Sequence, residues 1–442
     1  MLTLKIYNKL LFLSKETFSS LKVPNYRKYT LSQSLSLIGT WMQGTGQSWL
    51  VLVMTHSATD LGIVVALQTL PTLLLGPYAG LIADRSDKRK LLFWLQIAMG
   101  LQALILAIWT FTRTINYGEL LIMATILGIN NCFENPARQA FVLEMVGRDE
   151  VRNAISLNST FINVARAIGP AIAGVIIASA GEGWCFAINA LSFIPVGFAL
   201  HRMDITALRP SEAVERSKGQ LLDGFRYVRK TPELLVPLIM MGLIGTFTYE
   251  FQVTLPVLAK DTFHHGSTTF GIMTALMGIG AVVGGLIVAA KGKSGTRALM
   301  ISVFFFGVTM TLSALAGDLA LEFISLLFVG FASVVFLAMG NSTLQLVSSP
   351  EMRGRVMAFW AIAFIGTTPI GGPLIGWFAG RYGGKVAVEI GAAACYLAFI
   401  FALISLRRHV NRKSINFDES NLKTPEAASQ NFDLSFVENM DA

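Results

Sequence analysis

Hydrophobic residues occur in long runs along most of the chain, and short polar segments separate these runs. Each run has the roughly 18 or more residues that a helix needs to cross the apolar core of a bilayer. Runs of this length predict helices, because the strands of a membrane barrel are shorter and alternate apolar with polar residues. Twelve crossings are predicted, at residues 30–55, 61–83, 91–112, 118–137, 153–180, 184–201, 234–259, 268–290, 297–317, 319–347, 355–380 and 386–406.

The composition agrees with an all-α integral membrane protein. Of the 442 residues, 53% are hydrophobic and 14% are charged, whereas soluble domains carry about 25% charged residues. The three cysteines lie in separate hydrophobic runs without a disulfide or zinc-ligand spacing, so core packing is their expected role. They are Cys132, Cys185 and Cys395. The adjacent pair His264 and His265 has no third partner nearby in sequence and predicts no metal site.

The basic residues predict how the chain is oriented. If the N-terminus is cytoplasmic, the segments on that side hold 30 Lys and Arg residues, those on the other side hold four, and Arg166 lies inside a crossing. Cytoplasmic loops are enriched in Lys and Arg, so both termini are predicted to be cytoplasmic. The net charge of +8 then reflects topology and attraction to anionic inner-leaflet lipids, and it requires no nucleic-acid partner.

The longest internal polar connection divides the chain into two bundles of six helices. This connection spans residues 202–233, and the bundles are residues 30–201 and 234–408. Within the connection, residues 221–232 carry apolar residues at helical spacing, which predicts an amphipathic helix on the membrane surface. Residues 1–29 are predicted to form a cytoplasmic segment, and residues 409–442 a polar, disordered cytoplasmic tail.

A compact basic turn lies between the second and third crossings. Small residues before it allow a second helix to approach closely, and Asp84 at the helix end can accept hydrogen bonds from a neighbouring helix N-terminus. The turn resembles the loop between the second and third helices of the major facilitator superfamily, with the pattern G-x-L-a-D-r-x-g-r-r/k. The matching residues are Gly80, Leu81, Asp84, Arg85, Arg89 and Lys90, while Asp87-Lys88 replaces the usual small residue.

The two bundles repeat one another weakly. Gly80-Leu81-Ile82 corresponds to Gly285-Leu286-Ile287, Asn135 with Gln139 to Asn341 with Gln345, and Gly169-Pro170 to Gly372-Pro373. The offsets are nearly equal and follow the same order, which indicates parallel halves. The resemblance implies a substrate cavity between such halves. The acidic residue of the turn is absent from the second copy, where Ala289 aligns with Asp84, so an asymmetric inner gate is expected.

Among the ionisable residues of the predicted crossings, three are candidates for function, because charge within a membrane is costly and usually functional. Arg166 predicts either contact with an anionic or polar substrate or a structural pair with a carboxylate. Glu250 predicts either a proton carrier, because burial favours a neutral carboxyl group, or a water-exposed carboxylate near the outer rim. Glu134 lies four residues before Arg138, so the two share a helix face, and Glu134 predicts an inner-gate salt bridge with Arg138 or Arg85.

The remaining candidates follow from polar residues in apolar surroundings. In the first crossing, Gln43 and Gln47 share a face among aromatic residues, which suits either a cavity wall or hydrogen bonds between helices. The candidate substrate contacts are Arg166, Gln43, Gln47, Tyr249 and Asn341, with Glu250 as the proton-coupling group. The candidate gating residues are Asp84, Arg85, Arg89, Glu134 and Arg138, and the 84–90 turn is expected to close against the eleventh crossing near Arg353 and Arg355.

Further stretches are similar to the enterobactin-exporter and macrolide-efflux branch of this superfamily. They include residues 130–141, 153–158, 224–232 and 251–256, and Gly169-Pro170-Ala171-Ile172-Ala173-Gly174 resembles the G-P-x-x-G-G element of exporters. This resemblance implies proton-driven efflux of a siderophore or a hydrophobic drug across a bacterial inner membrane. The chain departs from the branch at Glu134 and Glu250, and the mid-helix arginine that many drug/proton antiporters carry in the fourth helix is absent.

The sequence therefore predicts a monomeric secondary transporter that works with a small molecule, protons and membrane lipids. It has no glycine loop with Lys and Ser/Thr for ATP, no catalytic constellation, and nothing that predicts a cofactor or metal. An importer and a lysophospholipid flippase of the same fold remain open as alternatives. A membrane enzyme would need a catalytic cluster at an interface, which the sequence does not contain.

Overall fold

The computed structural model describes residues 18–209, 220–291 and 295–421, and these residues are almost entirely helical. Their first half contains α1 (Pro24–Thr55), α2 (Ala58–Arg85), α3 (Lys88–Phe111), the long element Tyr117–Ala180 and α6 (Glu182–His201). Their second half contains α7 (Gln220–Lys230), α8 (Pro232–Phe247), α9 (Phe251–Val257), α10 (Ser267–Lys291), α11 (Thr296–Ala314), α12 (Leu319–Val347), α13 (Arg353–Phe364), α14 (Thr368–Tyr382) and α15 (Gly384–Asn421).

The element Tyr117–Ala180 is two helices joined at Gly147, which we label α4 (117–146) and α5 (148–180). Gly147 has φ +74 and ψ −179, a backbone conformation that residues with a Cβ rarely adopt. The Arg209 guanidinium fills the space where a Cβ would lie. A side chain at this position would therefore meet both backbone strain and a clash, which explains a glycine at the corner.

The twelve predicted crossings are confirmed within the described residues. Ten stretches are long and apolar enough to span a membrane, and one of them, Tyr117–Ala180, contains two crossings. The remaining crossing is α1, which is 32 residues long but more polar than those ten stretches. The predicted all-α fold of two six-helix halves, with α7 between them, is therefore what the chain adopts.

The seventh and eleventh crossings cover the predicted residues 234–259 and 355–380, but each is interrupted by a short break between two helices. The eleventh breaks between α13 and α14, where Pro369 lacks the N–H of a continuing helix and its ring crowds the carbonyl one turn earlier. The seventh breaks between α8 and α9. There the Thr248 hydroxyl donates to the Gly391 carbonyl of α15 at 2.9 Å.

Several helix ends also differ from the prediction. The first crossing begins at Pro24 rather than at residue 30, and α15 continues as a helix to Asn421, past the predicted start of the tail. Residues 1–17, 210–219 and 422–442 lie outside the described residues, and with them most of the predicted N-terminal segment and tail. The predicted linker helix is present as α7, whose Leu222 and Phe225 side chains are exposed.

The two halves meet through small residues. We call the end of the bundle that carries the 84–90 turn and α7 the linker end, and the opposite end the far end. Gly62 of α2 contacts Gly372 of α14 through backbone atoms, and Gly174 of α5 contacts Gly271 of α10 in the same way. Such residues let helix backbones approach closely. These contacts lie toward the far end, where Trp49 also stacks on Phe270 with ring centroids 6.2 Å apart.

Candidate functional site

Arg166 lies on α5 between the two halves. Its guanidinium carbon is 5.0 Å from the ring centroid of Trp41 on α1, and its Nε is buried without a hydrogen-bond partner. Among the described residues, no carboxylate lies within 4.0 Å of it. A structural ion pair with a carboxylate was one of the two predictions for Arg166, and it is not formed within the described residues. A half-buried guanidinium with a donor that has no partner can bind an anionic or polar ligand.

The glycine-proline element of α5 brings Arg166 to this position. A Cβ at Gly169 would lie 2.7 Å from the Trp41 Cβ, and one at Gly174 would lie 3.0 Å from the Gly271 Cα. The first glycine therefore seats α5 on α1 within the first half, and the second seats it on α10 across the interface. Arg166 precedes both contacts and is held beside the Trp41 ring.

Tyr249 lies at the break between α8 and α9. Its hydroxyl donates to the Ser333 carbonyl at 2.7 Å, and its ring packs edge-on against Phe364 with centroids 5.1 Å apart. The phenol is close enough to Arg166 for an electrostatic interaction between them. The break in the seventh crossing thus faces the arginine from the other half of the protein.

Glu250 follows Tyr249 and is 2% exposed. A Cβ on Gly371 would lie 2.8 Å from its Oε1, and one on Gly372 would lie 3.6 Å from its Oε2, so these glycines provide the space for the carboxyl group. Its Oε1 is buried without a hydrogen-bond partner. The burial excludes a carboxylate exposed at the rim in this conformation.

Two buried ion pairs lie toward the linker end of the first half. Arg138 Nε is 2.9 Å from Glu134 Oε1, as their spacing predicts, and the guanidinium also donates to Asn158 Oδ1 at 3.3 Å. Lys88 Nζ is 2.8 Å from Glu144 Oε1, and both side chains are almost fully buried. The Lys88 pair was not predicted, because its partners are far apart in sequence.

The other residues of the basic turn bind within the first half. Arg89 Nη1 donates to the Leu200 carbonyl at 3.1 Å, and Asp87 caps α3 by accepting from the Lys90 N–H at 3.0 Å. Asp84 is half-buried and Arg85 is exposed. Together with the Lys88 pair, these bonds tie the turn to α4 and α6, so the turn moves with its own half.

The two glutamines of α1 are hydrogen bonded between helices. Gln43 donates to Gln102 Oε1 at 3.0 Å and accepts from Asn189 Nδ2 at 2.7 Å. Gln47 accepts from Gln68 Nε2 at 3.2 Å. Contact with a solute would require these bonds to break. Asn341 on α12 is half-buried and accepts a hydrogen bond from the Gln345 amide.

The fold resembles solved transporters over most of its length. It matches the nucleoside transporter NupG with a TM-score of 0.69 and 15% identity, covering 86% of this chain and 99% of that one. It matches a bacterial homologue of the iron transporter ferroportin, solved in an inward-facing state, with a TM-score of 0.68, 15% identity and coverage of 86% and 98%. Two six-helix halves around a buried polar site define a transporter of the major facilitator superfamily.

Within that superfamily, the chain belongs to the transmembrane secretion effector family, whose sequence model matches residues 15–433. It is 28% identical over 409 residues to the staphyloferrin A transporter of Staphylococcus aureus, covering 89% of this chain and 98% of that protein. It is 24% identical over 358 residues to the enterobactin exporter EntS of Shigella boydii, with coverage of 80% and 85%. It is 22% identical over 381 residues to macrolide efflux protein A of Streptococcus pyogenes, with coverage of 83% and 92%. The protein is thus a multi-pass membrane transporter of the siderophore and drug efflux type.

Proposed function

We propose that the protein exports a small amphipathic solute, a siderophore or a hydrophobic drug, from the bacterial cytoplasm by alternating access in exchange for protons. The observation that carries the proposal is Arg166, a half-buried cation at the junction of the halves that stacks on Trp41 and leaves its buried Nε without a partner. A solute that supplies an acceptor oxygen to this guanidinium would satisfy it. The names of the siderophore and macrolide relatives support the efflux assignment.

The closed far end supports a loading state in this conformation. The basic residues divide 30 to four in favour of the side that carries the termini and the linker, which supports a cytoplasmic linker end. With its far end closed, the protein would then accept solute from the cytoplasm. The same division supports a bacterial inner-membrane location with both termini inside, and we propose that the protein acts as a monomer.

Proton exchange is assigned to Glu250. An ionised carboxylate with a free oxygen is costly in such a buried place, so loss of its proton would weaken the packing of Gly371 and Gly372 around it. Deprotonation would favour opening of the far end, where water can reach the carboxylate. Protonation from the outside would favour closure. The cycle thus exchanges one outward-moving solute for inward-moving protons, because each ligand favours a different state.

Gating at the linker end is assigned to the 84–90 turn and the buried pair of Glu134 and Arg138. Closure would bring Asp84, Arg85 and Arg89 toward the start of α13. In the described conformation Arg355 of α13 instead packs beside Gly224 of α7. Closing this end would therefore change what Arg355 contacts, and α7 would respond to the state of the gate.

Transport assays in everted vesicles test the direction and the solute. An exporter accumulates its solute inside everted vesicles when a proton gradient is imposed, and the gradient is partly dissipated as solute enters. Staphyloferrin A, enterobactin and a macrolide are the solutes to compare, beside a lysophospholipid. Accumulation in right-side-out vesicles would instead indicate an importer, and transfer of the lysophospholipid alone would indicate a flippase. Either result would contradict the proposal.

A further inference from the structure

A lysine crosses between the halves at the far end. Lys260 follows α9 in the second half, and its Nζ lies 3.2 Å from the Leu52 carbonyl oxygen of α1 in the first half. The same Nζ lies 3.2 Å from His56 Nδ1, which accepts because an ammonium group only donates. Asp261 is 4.0 Å from Nζ, a looser contact on the exposed side.

The partner of Lys260 is the C-terminus of α1. His56 caps that helix in the left-handed region with φ 53, and the last carbonyl groups of a helix carry partial negative charge. A lysine ammonium at this place satisfies a carbonyl and interacts favourably with the helix dipole. The contact joins the two halves, because Leu52 and His56 belong to the first half and Lys260 belongs to the second.

The other side-chain hydrogen bonds described between the halves at this end involve neutral donors. Ser267 Oγ and Thr268 Oγ1 donate to the Gly174 carbonyl at 3.3 Å and 3.4 Å. Both distances are long for a hydroxyl donor, and the surrounding contacts are glycine backbones and aromatic rings. Lys260 is the charged member of this set. A charge-assisted bond is the stronger kind, and it has to break when the far end opens.

We propose that Lys260 is a positioning residue of the transport cycle, which stabilises the state closed at the far end by bonding the C-terminus of α1. This inference rests on the alternating access proposed above, but not on the solute or the coupling ion. The lysine is 24% exposed, so the bond belongs at the lower end of the range for charged hydrogen bonds. Its loss should shift the ratio of closed to open far ends about tenfold toward open.

The chain contains a matched control. Lys385 at the start of α15 also donates from its Nζ to a carbonyl oxygen, that of Ala316, at 2.6 Å. Both residues of this bond lie in the second half and at the same end of the bundle. Removing the Lys385 ammonium takes away a similar bond and its contact with the Phe263 ring, whose centroid is 5.7 Å away, without removing a hydrogen bond between the halves. A purely structural effect of losing a lysine would appear in both variants.

Electron-spin distance measurements test the inference without any solute. Spin labels at Thr112→Cys and Gly317→Cys, in a background without the three natural cysteines, report the separation of the halves at the far end. Both sites are exposed, and a side chain at Gly317 meets nothing within 4 Å. Lys260→Met should increase the population with the long distance about tenfold, Lys260→Arg should restore the short distance, and Lys385→Met should leave the distribution unchanged.

Three results would overturn the inference. They are an unchanged distribution in Lys260→Met, an equal shift in Lys385→Met, and failure of Lys260→Arg to restore closure. If Lys260→Met does not reach the membrane, Lys260→Gln keeps a neutral donor and should give a smaller shift in the same direction. A protein that fails to export any tested solute but shows the expected distances would contradict the proposed function and leave this inference standing.

Discussion

Arg166 stacks on Trp41, with the guanidinium carbon 5.0 Å from the ring centroid. The two residues come from different helices of the same half, and the electrostatic neighbour of the arginine, Tyr249, comes from the other half. The flat ring covers one face of the guanidinium and leaves its edge free for a planar acceptor such as a carboxylate. This arrangement yields the first of our predictions.

Replacing Arg166 should weaken solute binding. Lys cannot reproduce the flat stacked fork, and loss of a charge-assisted bond is worth about 1.5–3 kcal/mol. Arg166→Lys should therefore raise KM for an anionic siderophore by roughly 10- to 100-fold, and Arg166→Gln by more, with amounts in the membrane unchanged. Arg381→Lys, at an exposed far-end position, is the control. Normal KM in Arg166→Gln would remove the residue from the binding site.

Replacing Glu250 should uncouple transport from protons. Glu250→Gln is neutral at every pH and keeps the shape of the side chain, so the variant should still bind solute and exchange it across the membrane. The variant should no longer accumulate solute against a concentration gradient. Its exchange rate should also be independent of pH, which is tested by comparing variant and wild type between about pH 5 and pH 8. The measurement is solute accumulation in vesicles with and without an imposed proton gradient. Glu389→Gln, exposed on α15, is expected to behave as wild type, and full accumulation by Glu250→Gln would assign coupling elsewhere.

Adding one methyl group at Gly371 should disturb the packing around the Glu250 carboxyl group. Its Cβ would clash with the Thr246 carbonyl oxygen and lie 2.8 Å from Glu250 Oε1. Overpacking of this kind costs about 1–3 kcal/mol, so Gly371→Ala should lower both the Tm and the transport rate.

Gly242→Ala is the matched control for that variant, because a Cβ at Gly242 meets nothing within 4 Å. It lies in α8 of the seventh crossing, whereas Gly371 lies in α14 of the eleventh, and alanine favours a helix over glycine. Its Tm should be unchanged or slightly raised. Equal destabilisation by the two alanines would mean that the close approach at Gly371 is not the cause of the lower Tm.

The buried pair of Glu134 and Arg138 should be strongly coupled. Removing one partner leaves a buried charge unpaired, which costs about 3–5 kcal/mol. Glu134→Gln should therefore lower the Tm by several degrees, and the double variant Glu134→Leu with Arg138→Leu should recover much of the loss. Thermal unfolding of the purified variants measures the effect. Breaking the exposed pair of Asp223 and Arg226, whose charged atoms are 3.8 Å apart, should change the Tm little.

Asp84→Asn should reduce efflux without reducing insertion. The substitution keeps the shape of the side chain and removes the charge at the end of α2, so closure of the linker end should become less favourable while the folded halves remain. Transport rate and the amount of protein in the membrane are to be measured together. Normal efflux in this variant would exclude a gating role for Asp84.

The crossings were predictable because lipid requires long apolar runs, and the Glu134–Arg138 pair was predictable because one helical turn separates its partners. The interruptions were not predicted, although the polar residues between positions 246 and 252 were an available signal for the first break. Pro369 was the available signal for the second break. The Lys88–Glu144 pair and the network around Gln43 join residues that are distant in sequence, and a repeat or a spacing rule carries no information about such contacts.

The polarity of α1 has a consequence for how the protein is made. An apolar helix can enter the bilayer by itself, but α1 carries Gln43, whose amide bonds are completed by Gln102 of α3 and Asn189 of α6. Until α6 has been synthesised, the Gln43 amide oxygen lacks its donor, the Asn189 amide. We therefore expect α1 to be among the last helices of its half to reach its final environment, and truncating the nascent chain before α6 should leave α1 accessible to water.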